Sequence, residues 1–540
     1  MSMHSEILHH GPKQQSASQT SHQVGSAPWL RQLSFGLRTS AFLRTSAFGL
    51  RTLPLLALLL AGCAVGPNYH RPEPLGTNAV VPAFSGTMPT NAGIWKPAQP
   101  SAHLPRGPWW EVFGDPELNR LEVLAAASNQ QLAAAYANLQ QARALVGVAR
   151  ADFWPQISTT PAAIRQRTSA NGSPARGSTS QSYTYNNFSV PLDASWELDL
   201  WGRVRRAVES TRASLTASAD DLEASRLSIQ AEVAIDYITL CSLDAQERVL
   251  AETTVAFRRS LELTQNRRKG GIATELDVSQ AETLLESTEA EIPAVKLLRA
   301  NTLHALATLC GQAAMSFAVN VPTNLPLVAP GIPLGIPSGL LERRPDIAAA
   351  ERRVAAANAD IGVATAAFFP RVMINGMGGF QSIDAATLFN WESRVWSIGP
   401  SLSLPIFTGG RNRAQLAYAR ANYDATVANY RQTVLGAFQD VEDQLAAQNL
   451  LAQQYEKESA ALKSARRTVD ISTTKYKGGV ITYLEVAIAQ SSELTHEQTV
   501  VLLDAKRLAA VVSLIKALGA GWDATPEAQE PKPAPQGKSP

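Results

Sequence analysis

Two long stretches of this chain repeat each other at a nearly fixed distance, and few folds accommodate that. Lys269-Gly270-Gly271 returns as Lys477-Gly478-Gly479, Thr274 as Thr482, Val278 as Val486 and Gly311 as Gly519, each 208 positions later. Gly202-Arg203-Val204-Arg205 keeps that offset with Gly410-Arg411-Asn412-Arg413, whereas Phe153-Trp154-Pro155-Gln156-Ile157 returns 215 positions later as Phe368-Phe369-Pro370-Arg371-Val372. One insertion of about seven residues explains the difference, and the Gly/Ser-rich run 171–182 reads as the loop that contains it. The chain is therefore expected to form two like halves, 115–311 and 346–519, joined by a proline-rich linker at 312–345.

Both halves carry the same order of patterns. A helix comes first: Asp115-Pro116 supplies an N-cap and a first-turn proline. Leu118, Leu121, Ala125, Ser128, Leu132, Ala135, Leu139, Ala142, Val146 and Ala149 then step by three and four, a heptad seam rich in small residues. Ile347, Ala350, Val354, Ala357, Ile361 and Ala364 repeat the seam after Arg344-Pro345-Asp346. Period-two runs follow. Phe188, Val190, Leu192, Ala194 and Trp196 alternate with Asn187, Ser189, Asp193 and Ser195; Trp396, Ile398, Leu402 and Leu404 alternate with Ser397, Gly399, Ser401 and Ser403. Partners at about 156–166 and 371–381 would give four strands of roughly ten residues, the length that crosses a bilayer.

From Gly202 and Gly410 a helical pattern runs on to the Gly-Gly pairs at 270 and 478. About 67 residues at about 1.5 Å each give a helix on the order of 100 Å, far longer than a globular core needs. Return helices are expected over about 274–309 and 482–518, stopped by Gly311 and Gly519. Four strands cannot close a membrane barrel, for which about eight is the usual minimum, and lipid does not tolerate open edges. The chain must oligomerise, and a ring of duplicated chains lets long paired helices surround a hollow cylinder.

The apolar run 53–61 follows Arg38, Arg44 and Arg51 and is too short to span a bilayer, but it fits a signal-peptide core. Leu60-Ala61-Gly62-Cys63 resembles a bacterial lipobox, which makes Cys63 the acylated first residue of the mature protein. On this reading 1–62 is an N-terminal extension with signal peptide, 63–114 an extended acylated segment and 520–540 a proline-rich disordered tail.

Chemistry other than conduction finds little support. The 48 Lys+Arg and 46 Asp+Glu nearly cancel, which argues against nucleic acid as a partner. Cys63, Cys241 and Cys310 form no Cys-x-x-Cys pair, and His304 and His496 stand alone on helical patterns, so neither a disulfide framework nor a metal site is expected. There is no His-Glu-x-x-His, phosphate-binding loop or nucleophile elbow. Ser472-Thr473-Thr474-Lys475 matches Ser-x-x-Lys without the rest of such a site. No cofactor and no enzymatic activity are expected.

Several motifs in order carry a family resemblance. They are 63–72 (Cys63-Ala64-Val65-Gly66-Pro67-Asn68-Tyr69-His70-Arg71-Pro72), Trp109-Trp110 with Phe113, and Trp196-Glu197-Leu198-Asp199-Leu200-Trp201-Gly202. Arg343-Arg344-Pro345-Asp346-Ile347, and Leu404-Pro405-Ile406-Phe407 with Gly409-Gly410-Arg411, complete the set. The chain resembles the TolC-like outer membrane efflux proteins of the NodT/OprM lipoprotein type over about 60–521. The resemblance implies a mostly α protein with a small transmembrane β part: a homotrimer whose twelve-stranded barrel continues into a periplasmic α-helical tunnel. Such a protein is the exit duct of a tripartite pump, passing drugs or other toxic compounds outward. It works with a periplasmic adaptor, or membrane fusion protein, and an inner-membrane transporter of the RND type.

Within that resemblance the hairpin tips, with Gly270, Gly271, Thr274, Gly478, Gly479 and Thr482, meet the adaptor. Asp277 and Tyr476 match gate-network positions and Glu485 the outer of two acidic gate positions. The inner one is Ile488 here, and an arginine of some members is Ile481, so the implied gate is one ring of Glu485 or an apolar ring at Ile488. The competing class is a periplasmic adaptor or other structural coiled-coil lipoprotein. The duplication and the four alternating strands disfavour it.

Overall fold

The computed structural model describes residues 64–75, 107–170, 182–321 and 343–520. Cys63, the signal-peptide core, positions 171–181, most of the proline-rich linker and the tail after 520 lie outside these residues.

Helix α1 (Pro116–Ser128) begins where Asp115 accepts hydrogen bonds from the Glu117 and Leu118 amides at 2.8 and 3.1 Å. Its other carboxylate oxygen accepts from the Tyr237 hydroxyl at 2.8 Å, tying the cap to a later helix. The heptad seam predicts one unbroken helix, but the structure divides it at Asn129, after which α2 (Gln130–Ala151) starts. Asn129 Oδ1 accepts from the Gln131 and Leu132 amides at 2.8 and 3.0 Å, and its Nδ2 donates to the Leu309 carbonyl at 2.7 Å. A side chain that competes with the helical backbone in this way ends one helix and opens the next. The break also admits Gly311, which has φ +63° and whose added Cβ would lie 2.1 Å from the Ser128 carbonyl oxygen.

Strands β1 (Gln156–Thr159), β2 (Ala162–Arg167) and β3 (Thr184–Leu198) come next. β1 and β2 hold one register against β3, from Gln156 opposite Ser195 to Arg167 opposite Thr184. They occupy one strand position, interrupted near Pro161, which like Pro191 on β3 has no N–H to give to the ladder. The long helix α3 (Arg203–Lys269) has 67 residues and the return helix α4 (Glu275–Leu309) has 35.

In the second half Arg343 is helical, Arg344 is not, and α5 (Pro345–Ala366) follows. Then come β4 (Arg371–Ser382), β5 (Arg394–Ser403), α6 (Arg411–Lys477) of 67 residues and α7 (Tyr483–Ala517) of 35. The antiparallel sheet runs from β1 and β2 through β3 and β4 to β5. α3 packs on α4, α5 and α7, and α6 on α5 and α7. The largest core gathers Trp109, Phe113, Leu118, Tyr237, Leu306 and Ile515 around α1 and the middle of α3. No described helix is long and apolar enough to cross a membrane.

Residues 64–75 form an extended strap across this framework. The Val65 amide donates to the Trp201 carbonyl at 3.0 Å. Buried Arg206 donates to Asn68 Oδ1 at 2.8 Å, and Asn358 Nδ2 to the Pro67 carbonyl at 3.1 Å. Gly66, at φ +96°, crosses Gly362 so closely that a Cβ would sit 2.5 Å from the Gly362 Cα.

Candidate functional site

The sheet has two chemically distinct faces, because residues directly opposite each other across a ladder point the same way. Following the registers, one face carries Ile157, Leu192, Trp196, Ile374, Ile398 and Leu402. The other carries Ser158, Asn187, Asp193, Asn375, Ser397 and Ser401. On this second face Asn375 Nδ2 donates to Ser401 Oγ at 2.8 Å and Gln381 Nε2 to Asn187 Oδ1 at 3.0 Å. The apolar face has no protein over it: Trp396 is 75% and Ile398 73% exposed. Such a surface is costly in water and suited to hydrocarbon.

Fixed side chains join sheet to helices. Trp201 stacks on Phe369 at 4.9 Å and donates from Nε1 to the Pro370 carbonyl at 2.8 Å; Trp196 Nε1 donates to the Phe153 carbonyl at 2.9 Å. Arg203 binds both oxygens of Glu197, at 2.8 and 2.9 Å. Asp199 accepts from the Val204 and Arg205 amides at 3.1 and 2.9 Å, capping the first turn of α3 although Gly202 has no side chain to do so.

At the far end of the helices the two tips share one turn. The Gly271 and Ile272 amides donate back to the Arg268 and Arg267 carbonyls, and those of Gly479 and Val480 to the Tyr476 and Lys475 carbonyls. This is a Schellman closure, with Gly271 at φ +73° and Gly479 at φ +72°. Thr274 then opens α4 in a capping box: its hydroxyl accepts from the Asp277 amide, and Asp277 Oδ2 accepts from the Thr274 amide at 2.8 Å and hydroxyl at 2.7 Å. Burial works against the charge on Asp277, but the Thr274 bonds, one from the Tyr483 amide, and nearby Arg267 hold its carboxyl below the usual range. Asp277 thus links the starts of α4 and α7.

Thr482 opens α7 without any side-chain cap bond, so Glu485, at the position matching Asp277, stays exposed and has no partner among the described residues. Ile488, one turn further, is 63% exposed and lines a groove of about 770 Å³ between α4 and α7, with Leu276 and Leu484 on its walls. Tyr476 and Tyr483 are buried together, ring centroids 5.6 Å apart, and the Tyr476 hydroxyl donates to Thr264 Oγ1 at 3.3 Å.

All the tip and gate candidates therefore gather at one end of the helices, and only Cys63 lies outside the described residues. Sequence reasoning missed Arg267. Its guanidinium lies 4.7 Å over the Tyr476 ring and donates to the Lys477 carbonyl at 3.0 Å, fastening the first tip to the end of α6. The signal was present in the basic run Arg267-Arg268-Lys269, since cations at a helix C-terminus meet unpaired carbonyls. Cys241 and Cys310 are buried free thiols whose pKa burial pushes up, which leaves them unreactive.

The chain is similar to known proteins over most of its length. A family model described as outer membrane efflux protein matches residues 121–312 and 336–520. Outer membrane protein OprJ of Pseudomonas aeruginosa is 35% identical over 473 residues, 87% of this chain and 95% of that one. The probable efflux pump outer membrane protein TtgC of Pseudomonas putida is 32% identical over 473 residues, again 87% and 95% of the two chains. Among solved structures, the outer-membrane channel OprN superposes with a TM-score of 0.76 at 31% identity, covering 85% of this chain and 100% of OprN.

Proposed function

The chain belongs to the outer membrane efflux protein family, and from that premise we propose that three copies build the exit duct of a tripartite efflux pump. Each copy gives its four strand positions to a twelve-stranded barrel in the outer membrane and its long helices to a periplasmic tunnel. The observation that carries this reading is the sheet: one face is apolar and uncovered, the other polar and hydrogen-bonded, and both edges are open. Lipid accepts such a sheet only when closure pairs its edges, and closure around a polar face leaves a water-filled lumen.

Equal helix lengths in the two halves, 67 and 35 residues in each, support a duplicated plan for 115–311 and 346–519, with 312–345 as linker. Acylation of Cys63 fits its lipobox, and the chain just after it, from Val65, is fastened to the Trp201 carbonyl beside the sheet. The tips, with Gly270, Gly271, Thr274, Gly478, Gly479 and Thr482, meet a periplasmic adaptor, which connects the duct to an RND-type transporter. Asp277 and Tyr476 hold the tips together, while Glu485 and Ile488 narrow the passage between them. Transport through such a duct is passive, and the transporter selects the cargo.

Full-length protein reconstituted in a planar bilayer tests this. Discrete conductance steps are expected, along with a mass of three chains in detergent. Folded monomers that insert without conducting would refute the duct.

A further inference from the structure

The lipid-facing rows of the sheet do not stay apolar to their outer end. On the edge formed by β1 and β2 the row reads Ile157, Thr159, Pro161, Ala163, Arg165, Arg167, as fixed by opposition to Ala194, Leu192, Phe188, Asn186 and Thr184. On the β5 edge it reads Leu402, Pro400, Ile398, Trp396, Arg394, ending opposite Phe380. Arg165, Arg167 and Arg394 all lie at the end of the sheet away from the helices, and all are exposed. None is paired with a carboxylate among the described residues: Arg167 donates to Ser182 Oγ at 3.0 Å, and Arg394 lies 3.6 Å over the Trp391 ring. The arginines at the opposite end differ, since Arg203, Arg205 and Arg371 all meet Glu197 or Asp199.

Uncompensated guanidinium groups directly above a hydrocarbon band face whatever anion the outer leaflet presents. Guanidinium binds phosphate through two parallel hydrogen bonds, and an aromatic face holds it in place without neutralising it. We propose that Arg165, Arg167 and Arg394 form a binding site for the phosphate groups of the outer-leaflet glycolipid, lipid A, with its acyl chains lying along Trp396 and Ile398. The site rests on the barrel reading above: closure sets β5 of one copy against β1 and β2 of the next, which joins the two edge rows. A trimer then carries three such sites, each drawing residues from two copies.

The test uses full-length trimer in detergent and measures binding of bisphosphorylated lipid A. Replacing all three residues (Arg165→Gln, Arg167→Gln and Arg394→Gln together) should weaken binding by about ten-fold or more, and raised salt should weaken wild-type binding in the same direction. The corresponding Arg→Lys triple keeps the charge but not the fork, and should fall between the two. Lipid A stripped of its phosphates should bind wild type no better than the glutamine variant. Equal affinity of wild type and glutamine variant, or full displacement of lipid A by millimolar inorganic phosphate, would overturn the site. The barrel reading is checked separately by brominated phospholipid, which should quench a fluorescence component that Trp396→Phe removes. Quenching with unchanged lipid A binding sinks the site alone, whereas absent quenching sinks the barrel reading on which it stands.

Discussion

Glu122 is a buried carboxyl whose cost can be worked out. It lies on α1 with no exposed surface, and neither carboxylate oxygen has a hydrogen-bond partner. Burial pushes its pKa from the ordinary 4.5 up to about 9. Below pH 4.5 the folded and unfolded chains both hold the proton and no penalty arises. Between the two values the unfolded chain releases its proton while the folded chain keeps it, so stability falls as pH rises and levels off above about 9. At about 1.4 kcal/mol per pH step the penalty is about 1 kcal/mol at pH 5, about 3 at pH 7 and about 5 at pH 8.5. Glu122→Gln keeps the shape and cannot ionise, so its stability advantage over wild type should grow by about 4 kcal/mol from pH 5 to pH 8.5. Urea unfolding of the full chain in detergent, followed by helical circular dichroism at three pH values, measures that difference, and other titrating groups cancel in it. A gap between variant and wild type that stays constant with pH would mean that the carboxyl is ionised or hydrogen-bonded in the folded protein, and the argument fails.

Gly66→Ala should cost about 1–2 kcal/mol from the left-handed backbone alone, with the 2.5 Å approach to Gly362 added. The strap should detach, and chymotrypsin should then cut after Tyr69, which is half-buried in the strap; an unchanged digest would refute the crossing. Gly362→Ala should also loosen the strap, because its Cβ would lie 2.8 Å from Cγ of buried Arg206, whose guanidinium is held by Glu209 and Asn68. The mature N-terminus should carry acyl mass at Cys63 and lose it in Cys63→Ser, and an unmodified start elsewhere would count against the anchor. At the proposed gate, Glu485→Ala should lower cation selectivity in bilayer recordings, because in the proposed trimer three carboxylates would meet near one axis and concentrate cations. Asp277→Ala should raise conductance by loosening the tips. Unchanged selectivity in Glu485→Ala, with a large conductance rise in Ile488→Ala, would make the apolar ring the gate.

Long-range order was legible in the sequence where a rule acts over many residues. The bounds of α3 and α6 follow from glycines at both ends, and Thr274 and Thr482 open the return helices where a cap must stand. Alternation along β3 marked its apolar face. The break at Asn129 was not legible, because the heptad seam runs through it and only the contact with Leu309 shows why the helix stops. The interruption between β1 and β2 has a similar cause, since Pro161 matters chiefly because register brings it near Pro191. Local pattern cannot report which distant residue will arrive.

The tips show why the candidate gate was harder to read than the helices that carry it. Ile272 and Leu276 on the first tip recur as Val480 and Leu484 on the second, at the repeat distance, and all four are exposed. Features kept in both halves suit a partner that meets every tip alike, as an adaptor does around a ring of pseudo-equivalent hairpins. Asp277 and Glu485 occupy matching positions, yet the first spends its carboxylate on Thr274 and the Tyr483 amide while the second leaves it free. Gln280 and Ile488 also match in position but differ in polarity. Where the halves diverge, only the second tip offers an unpaired charge and an apolar side chain one turn apart. In the proposed duct, closure of the passage falls to α7 and tip cohesion to the start of α4. Exchanging the two residues, Asp277→Glu with Glu485→Asp, should alter cohesion more than selectivity, because the longer side chain fits the capping box but shifts away from the Tyr483 amide, while both positions keep their charge. A large change in selectivity with undisturbed resting conductance would reverse that assignment.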